Sequence, residues 1–370
     1  MKALQRSSSI WSRYSFVPIG FRDASRLRYV HHSVSNTAVA HPINVHGPPP
    51  KAPIPSPEFT ERIERRKKQS ALIRQDKNAG VARGDGKAGV LRRRFWKDVH
   101  VTEVPEGFQV SLDSRPIRTP TKNILIIPRS KPHLAHAIAL EWDLLVSAQQ
   151  ALKQHLIPLT SLAARAEDIV QQDSRGDDTA RNEIIRTLMR YLDTDTLLSW
   201  APENEPHEVA RDTSNETSVE SLREVQIRTA QPIIAFLSTK VWPGVEIKPV
   251  LEADSILPVS QPQTTKEVIR GWIAGLPAYE LAGLERAVLA SKSLLVAVRL
   301  VVEWSEYFRH LQPDSERNFG IEKAAEVSSL EVRWQTEQWG EVEDTHDVEK
   351  EDLRRQLGSV ILLVSGEQRP

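Results

Sequence analysis

No cysteine occurs anywhere in the 370 residues, which excludes a disulfide scaffold, a thiol nucleophile and the common cysteine-based zinc sites. Net charge is missing as well: 49 Lys and Arg stand against 49 Asp and Glu, so no overall basic field favours nucleic acid or an anionic membrane. Long apolar runs are also lacking. The two most hydrophobic, Ser293 to Trp304 with Arg299 inside it and Val360 to Val364, fall well short of the roughly 20 residues needed to span a bilayer. A soluble chain without stable membrane insertion is expected, and any charged partner must be met locally.

What is present begins with a basic, serine-rich start. Lys2, Arg6, Arg13, Arg22, Arg26 and Arg28 face a single acid, Asp23, within residues 1–50, the composition of a mitochondrial transit peptide. At about 100° per residue, Lys2, Arg6 and Arg13 share one helix face opposite Leu4, Trp11 and Tyr14. Residues 51–92 are rich in proline, charge and glycine without apolar periodicity, and read as a disordered linker. Folding is expected from about residue 93.

Short alternating segments, Phe95 to Val104, Phe108 to Leu112, Pro116 to Thr119 and Ile124 to Ile127, are punctuated by Gly107, Asp113-Ser114 and Pro120, as strands and turns should be. Helices are expected over Pro132 to Gln150, from a Thr160 cap through Val170, and over Arg181 to Leu192, with a strand at Thr196 to Trp200. Together they make a β-rich α+β N-terminal domain over 93–205. A polar loop at 206–220 leads to an all-helical C-terminal domain over 221–370. There Thr264 and Glu267 suggest a capping box, Leu281 to Trp304 one long buried helix, Ile321 to Trp339 a helix stopped by Gly340, and Asp347 to Val364 the last.

Sites of chemistry are hard to find. Gly84, Gly86 and Gly89 satisfy G-x-G-x-x-G, yet no strand precedes them, so linker is the better reading. His133 and His136 sit at helical spacing without a completing ligand, and read as surface histidines rather than a metal pair. No nucleophile elbow occurs, and the carboxylates are too scattered to choose an acid and a base. Among nine tryptophans, Trp142 shares a helix face with Leu134, Ile138 and Leu145 and is expected in the core. Glu331 is four residues after Val327 and three before Trp334, so one continuous helix would place it in an apolar stripe. It is then either structural, as a cap or half of a buried ion pair, or a carboxylate turned to a partner.

Three stretches, read together, resemble one family, the mitochondrial ATP synthase assembly factors that chaperone the alpha subunit. They are Arg94-Phe95-Trp96-Lys97-Asp98-Val99 with Leu112 to Pro120; Glu141-Trp142-Asp143 with Ile157-Pro158-Leu159-Thr160; and Ser329-Leu330-Glu331 through Gln338-Trp339-Gly340 to the acidic run ending at Asp347. The resemblance covers about residues 93 to 365. It implies a β-containing domain followed by a helical one, no catalytic site, no cofactor or metal, and a monomer of the mitochondrial matrix. It also implies that the unassembled alpha subunit is the partner and that Glu331 serves the chaperone function, with Trp334, Trp339 and Asp347 beside it as partner-binding residues. Two other functions stay open: an enzyme of hydrolase type built from acids and histidines, and a permanent structural subunit of a mitochondrial complex.

Overall fold

The computed structural model describes residues 94–202, 220–251, 258–312, 318–342 and 345–367. The expected transit peptide, the linker and, except for Glu220, the loop at 206–220 lie outside them. The architecture is α+β, a small antiparallel sheet followed by helices.

Strand β1 (Val99–Val104) pairs along its whole length with β2 (Gly107–Leu112), in a register running from Val99 opposite Leu112 to Val104 opposite Gly107. Two short strands share the rest of β2: β3 (Arg115–Pro116) opposite Ser111 and Leu112, and β4 (Ile126–Ile127) opposite Phe108 and Gln109. Gly107 is required at this junction. A Cβ there would lie 2.1 Å from the Ile127 carbonyl oxygen. The first expected strand starts late because Asp113, in the left-handed conformation at φ +52°, draws its amides away. The N–H groups of Lys97 and Asp98 donate to the Asp113 carboxylate rather than to a ladder. Those backbone bonds, Asp98's first, hold the Asp113 carboxyl below its usual range.

Helix α1 (Pro132–Leu144) ends before the expected Gln150, because Leu145 is extended and Ser147 with Gln150 caps a separate 3-10 turn, Ala148–Leu152. Helix α2 (Pro158–Ser174) starts two residues earlier than Thr160, which therefore lies inside it. Helix α3 (Thr179–Asp193) follows, and the expected strand at Thr196 to Trp200 is instead a 3-10 turn, Thr196–Leu198. Its start is fixed by buried Asp195, whose carboxylate accepts the N–H of Leu197 at 2.9 Å and of Leu295 at 3.0 Å.

Helix α4 (Leu222–Phe236) carries a Ser221–Glu224 capping box. The box expected at Thr264 and Glu267 does not form: helix α5 (Gln263–Ala274) begins after Pro262, and the Glu267 carboxylate takes the Gln263 side chain. The long helix expected over Leu281 to Trp304 is two, α6 (Ala278–Ser291) and α7 (Leu294–Trp304), separated at left-handed Lys292. Ser291 bonds the Ala287 carbonyl and Ser293 caps Val296, so hydroxyls compete with the helical ladder at this point. The next expected helix also breaks. Helix α8 (Ile321–Ser328) and helix α9 (Leu330–Trp339) meet at Ser329, and Ser328 and Ser329 both turn their hydroxyls back onto α8. Helix α10 (His346–Val364) is the last.

Helix α6 packs against α2, α7 and α10, so one core runs from the sheet through the helices. Gly283 of α6 permits the approach of α10: a Cβ there would meet Val364 Cγ1 at 2.7 Å. Buried Lys131, just before α1, ties the far end of α10 to the sheet region. Its ammonium donates to the carbonyls of Val364 at 3.1 Å and Ser365 at 2.9 Å and pairs with Glu306 at 2.8 Å.

Candidate functional site: an exposed helix and its acidic flank

Helix α9 is built to be seen from outside. Of its ten residues, only Leu330 is buried. The break at Ser329 turns α9 out of phase with α8, so Val327 and Glu331 do not share the stripe that a continuous helix would give them. Glu331 is exposed, which corrects the apolar-stripe expectation and removes the buried ion pair. Its carboxylate accepts a bond from Gln335 at 3.2 Å, and among the described residues it has no cationic partner.

Spacing decides which of the four expected residues meet. Glu331, Gln335 and Trp339 are four apart and fall on one face, where Trp339 is 64% exposed. Trp334 instead turns inward, half-buried in a cleft of about 160 Å³ lined also by Val225 of α4, Leu330, Arg333 and Glu337. Gly340, at φ +88°, ends α9 with its N–H on the Thr336 carbonyl. Asp347 stands exposed in the first turn of α10, beyond a turn closed by the His346 N–H on the Val342 carbonyl. Glu331 and Trp339 therefore share a helix face, while Asp347 belongs to a separate helix and is exposed there. Val342 and Val348 add apolar area, at 56% and 58% exposed.

Electrostatics separates this face from its base. At the base, Arg333 donates to Glu326 at 2.9 Å and Lys323 pairs with the same carboxylate at 3.1 Å, which holds Glu326 below the usual range. Glu331, Glu341 and Asp347 have no ion pair among the described residues, so their charge is available to a partner.

The other two stretches singled out in the sequence do structural work. The Glu141 carboxylate accepts the N–H groups of Leu159 at 2.7 Å and Thr160 at 2.9 Å and the Thr160 hydroxyl at 2.8 Å, so it satisfies amides at the buried start of α2 that no helical carbonyl reaches. Burial nonetheless pushes the Glu141 carboxyl up. Asp143 takes the Arg94 guanidinium at 3.2 Å. Trp142, expected in the core, packs against it half-buried: its indole Nε1 donates to Thr160 Oγ1 at 3.0 Å and its ring lines a surface groove. Sequence reasoning missed that groove. Exposed Phe95 beside Arg115 was the available signal.

Neither histidine of the weighed pair is set up for a metal. His133 bonds the Leu362 carbonyl and His136 the Pro132 carbonyl, and the described residues contain no group of three potential ligands. No helix among them is long and apolar enough to cross a membrane.

Helix α9 thus presents acidic and aromatic side chains to solvent. Residues 93–238 match the family model described as ATP12 chaperone protein. The chain is 34% identical over 274 residues to "Protein atp12, mitochondrial" of Schizosaccharomyces pombe, covering 73% of this chain and 81% of that one. It is 32% identical over 277 residues to "Protein ATP12, mitochondrial" of Saccharomyces cerevisiae, covering 72% and 81%. The fold is shared with the crystal structure of Atp12 from Paracoccus denitrificans, at TM-score 0.51 and 23% identity over 74% of this chain and 98% of that one. It is also shared with Atu1473, a putative chaperone from Agrobacterium tumefaciens, at TM-score 0.50 and 21% identity over 78% and 94%. The chain belongs to the ATP12 chaperone family, which bears out the resemblance carried by the three stretches.

Proposed function

We propose that this chaperone binds the unassembled alpha subunit of the mitochondrial ATP synthase in the matrix, shields its beta-facing surface, and is displaced when the beta subunit arrives. It acts as a monomer by binding alone, without catalysis, cofactor or metal. The observation that supports this reading is helix α9, ten residues with one buried, whose exposed face joins Glu331 to Trp339. An unassembled subunit exposes an apolar surface of the kind that aggregates. An interface of roughly 1,600 Å² covers such a surface, with an affinity low enough for exchange.

The test uses freshly unfolded alpha subunit as the probe, captured by the full chain at low and high salt. Glu331→Lys should reduce capture by at least tenfold at low salt, with secondary structure and melting temperature unchanged, because a reversed charge meets its former partner as repulsion. Glu331→Gln should weaken capture less. Loss of melting temperature in step with loss of capture in both variants would assign Glu331 a structural role and end the proposal.

A further inference from the structure

On the sheet-bearing part of the molecule lies a second surface that the α9 reading does not use. A groove of about 500 Å³ is lined by Phe95, Leu112, Arg115, Ile117, Arg118 and Trp142, with Ser114 and Pro116 between them. Two of the family-resembling stretches, distant in sequence, meet there. Its aromatic wall is held in place from behind. Buried Trp96 packs edge-on against Trp142, with centroids 5.3 Å apart, and donates its indole N–H to the Trp142 carbonyl at 3.3 Å. Phe95 stands on the rim, 59% exposed and edge-on to Trp96 at 4.8 Å. Arg94 anchors that rim to the end of α1 through Asp143 and the Val146 carbonyl. Leu144 and Val146, each 71% exposed, carry the apolar surface onward.

Charge identifies the occupant. Arg115 and Arg118 are exposed at the groove, and among the described residues neither meets a carboxylate. Arg115 lies over the Phe95 ring, 5.8 Å from its centroid, and Arg118 donates only to the Lys122 carbonyl. Two acids of the family-resembling stretches are committed elsewhere, Asp113 to backbone amides and Asp143 to Arg94. Two guanidiniums without a carboxylate partner beside a preformed aromatic wall suit a side chain that is apolar next to one that is a carboxylate. A rigid wall also lowers the ordering cost of binding.

We propose that this groove is a second docking site, which takes an extended polypeptide segment of a partner protein carrying an aromatic or branched apolar side chain beside a carboxylate. It is opposite in charge to the α9 surface. The chaperone thus grips through one acidic and one basic face, and each works without the other.

Fluorescein-labelled peptides provide the probe, read by anisotropy on the full chain at low salt. One alternates Glu with Phe and Leu; a second has Lys for each Glu; a third keeps the acids and has Ser for each apolar residue. The acidic apolar peptide should bind at least tenfold more tightly than the other two. Arg115→Glu with Arg118→Glu should cost it at least tenfold and should bring the Lys peptide up to comparable affinity, a gain that misfolding cannot produce. Phe95→Ser should weaken the acidic peptide several-fold, and Glu331→Lys should leave it unchanged, so that failure of this site and failure of the α9 reading are distinguishable. Equal binding of all three peptides, or unchanged affinity in the double Arg variant, would overturn the proposal. Concentration-dependent self-association that the double variant abolishes would overturn it too, by making a second copy of the chain the occupant.

Discussion

Helices α7 and α9 are nearly equal in length and opposite in use. Nine of the eleven residues of α7 are buried, against one of ten in α9. Even the charge in α7 is interior: Arg299 pairs with Glu303 at 2.5 Å, and the Glu303 carboxylate also accepts the Asn318 N–H at 3.0 Å. Arg299 additionally stacks on Phe236, 3.9 Å from the ring centroid. The acids of the α9 face have no such partners. The lesson is that a glutamate's role follows from what surrounds it: Glu303 closes a buried network, while Glu331 is offered outward.

Substitutions should therefore divide along the same line. The largest effect is expected for Glu303→Ala, which leaves Arg299 without its partner and two backbone amides unsatisfied. Removing one member of a buried pair costs about 3–5 kcal/mol, to be read as a lower denaturant midpoint at unchanged slope. If this variant unfolded like the wild type, α7 would not be the fixed half of the contrast.

Asp195 tests the same core by pH. Burial raises its carboxyl from 3.8 to about 6, so between these values the folded chain holds more protons than the unfolded one. Stability from this group is then present at low pH and lost as pH rises. Relative to Asp195→Asn, the wild type should lose about 2 kcal/mol between pH 4 and 6, with the loss levelling off above about pH 7. Equilibrium unfolding of both proteins across that range checks the sign, and a difference growing in the wild type's favour would refute it.

Glu141→Ala should cost less, about 1–2 kcal/mol, the usual loss for removing a helix cap. Hydrogen exchange should rise first at the start of α2, since the Leu159 and Thr160 amides lose their acceptor. The smallest effect on folding is expected on α9: Trp339→Ser should move the melting temperature by no more than about 2 °C while lowering capture of alpha subunit several-fold. A large loss of stability there would show that α9 belongs with α7 after all.

Much of this was legible in the chain. Alternation with turn residues located the four strands, and apolar periodicity located nearly every helix, because those signals are local. The errors also share a cause. Breaks at Lys292 and Ser329, and the 3-10 turn at Thr196–Leu198, arise where serine hydroxyls or the adjacent Asp195 carboxylate capture backbone groups, and periodicity does not register such competition. Missing the Ser329 break placed Glu331 on the wrong face. The half-burial of Trp142 was missed for a related reason, since its partner Thr160 lies 18 residues away.

By itself, the sequence determined the class of fold, the order of sheet and helices, the want of any thiol chemistry and the family, because composition, local period and motif order are properties of the chain alone. Only the tertiary structure decided which acids are committed and which are free. Glu141, Glu303 and Asp195 are consumed by amides brought from elsewhere in the chain, those of Leu159 and Thr160, of Asn318 and of Leu295, whereas Glu331 is left facing water. Whether a charge has a partner depends on contacts between distant segments, and those exist only once the chain has folded.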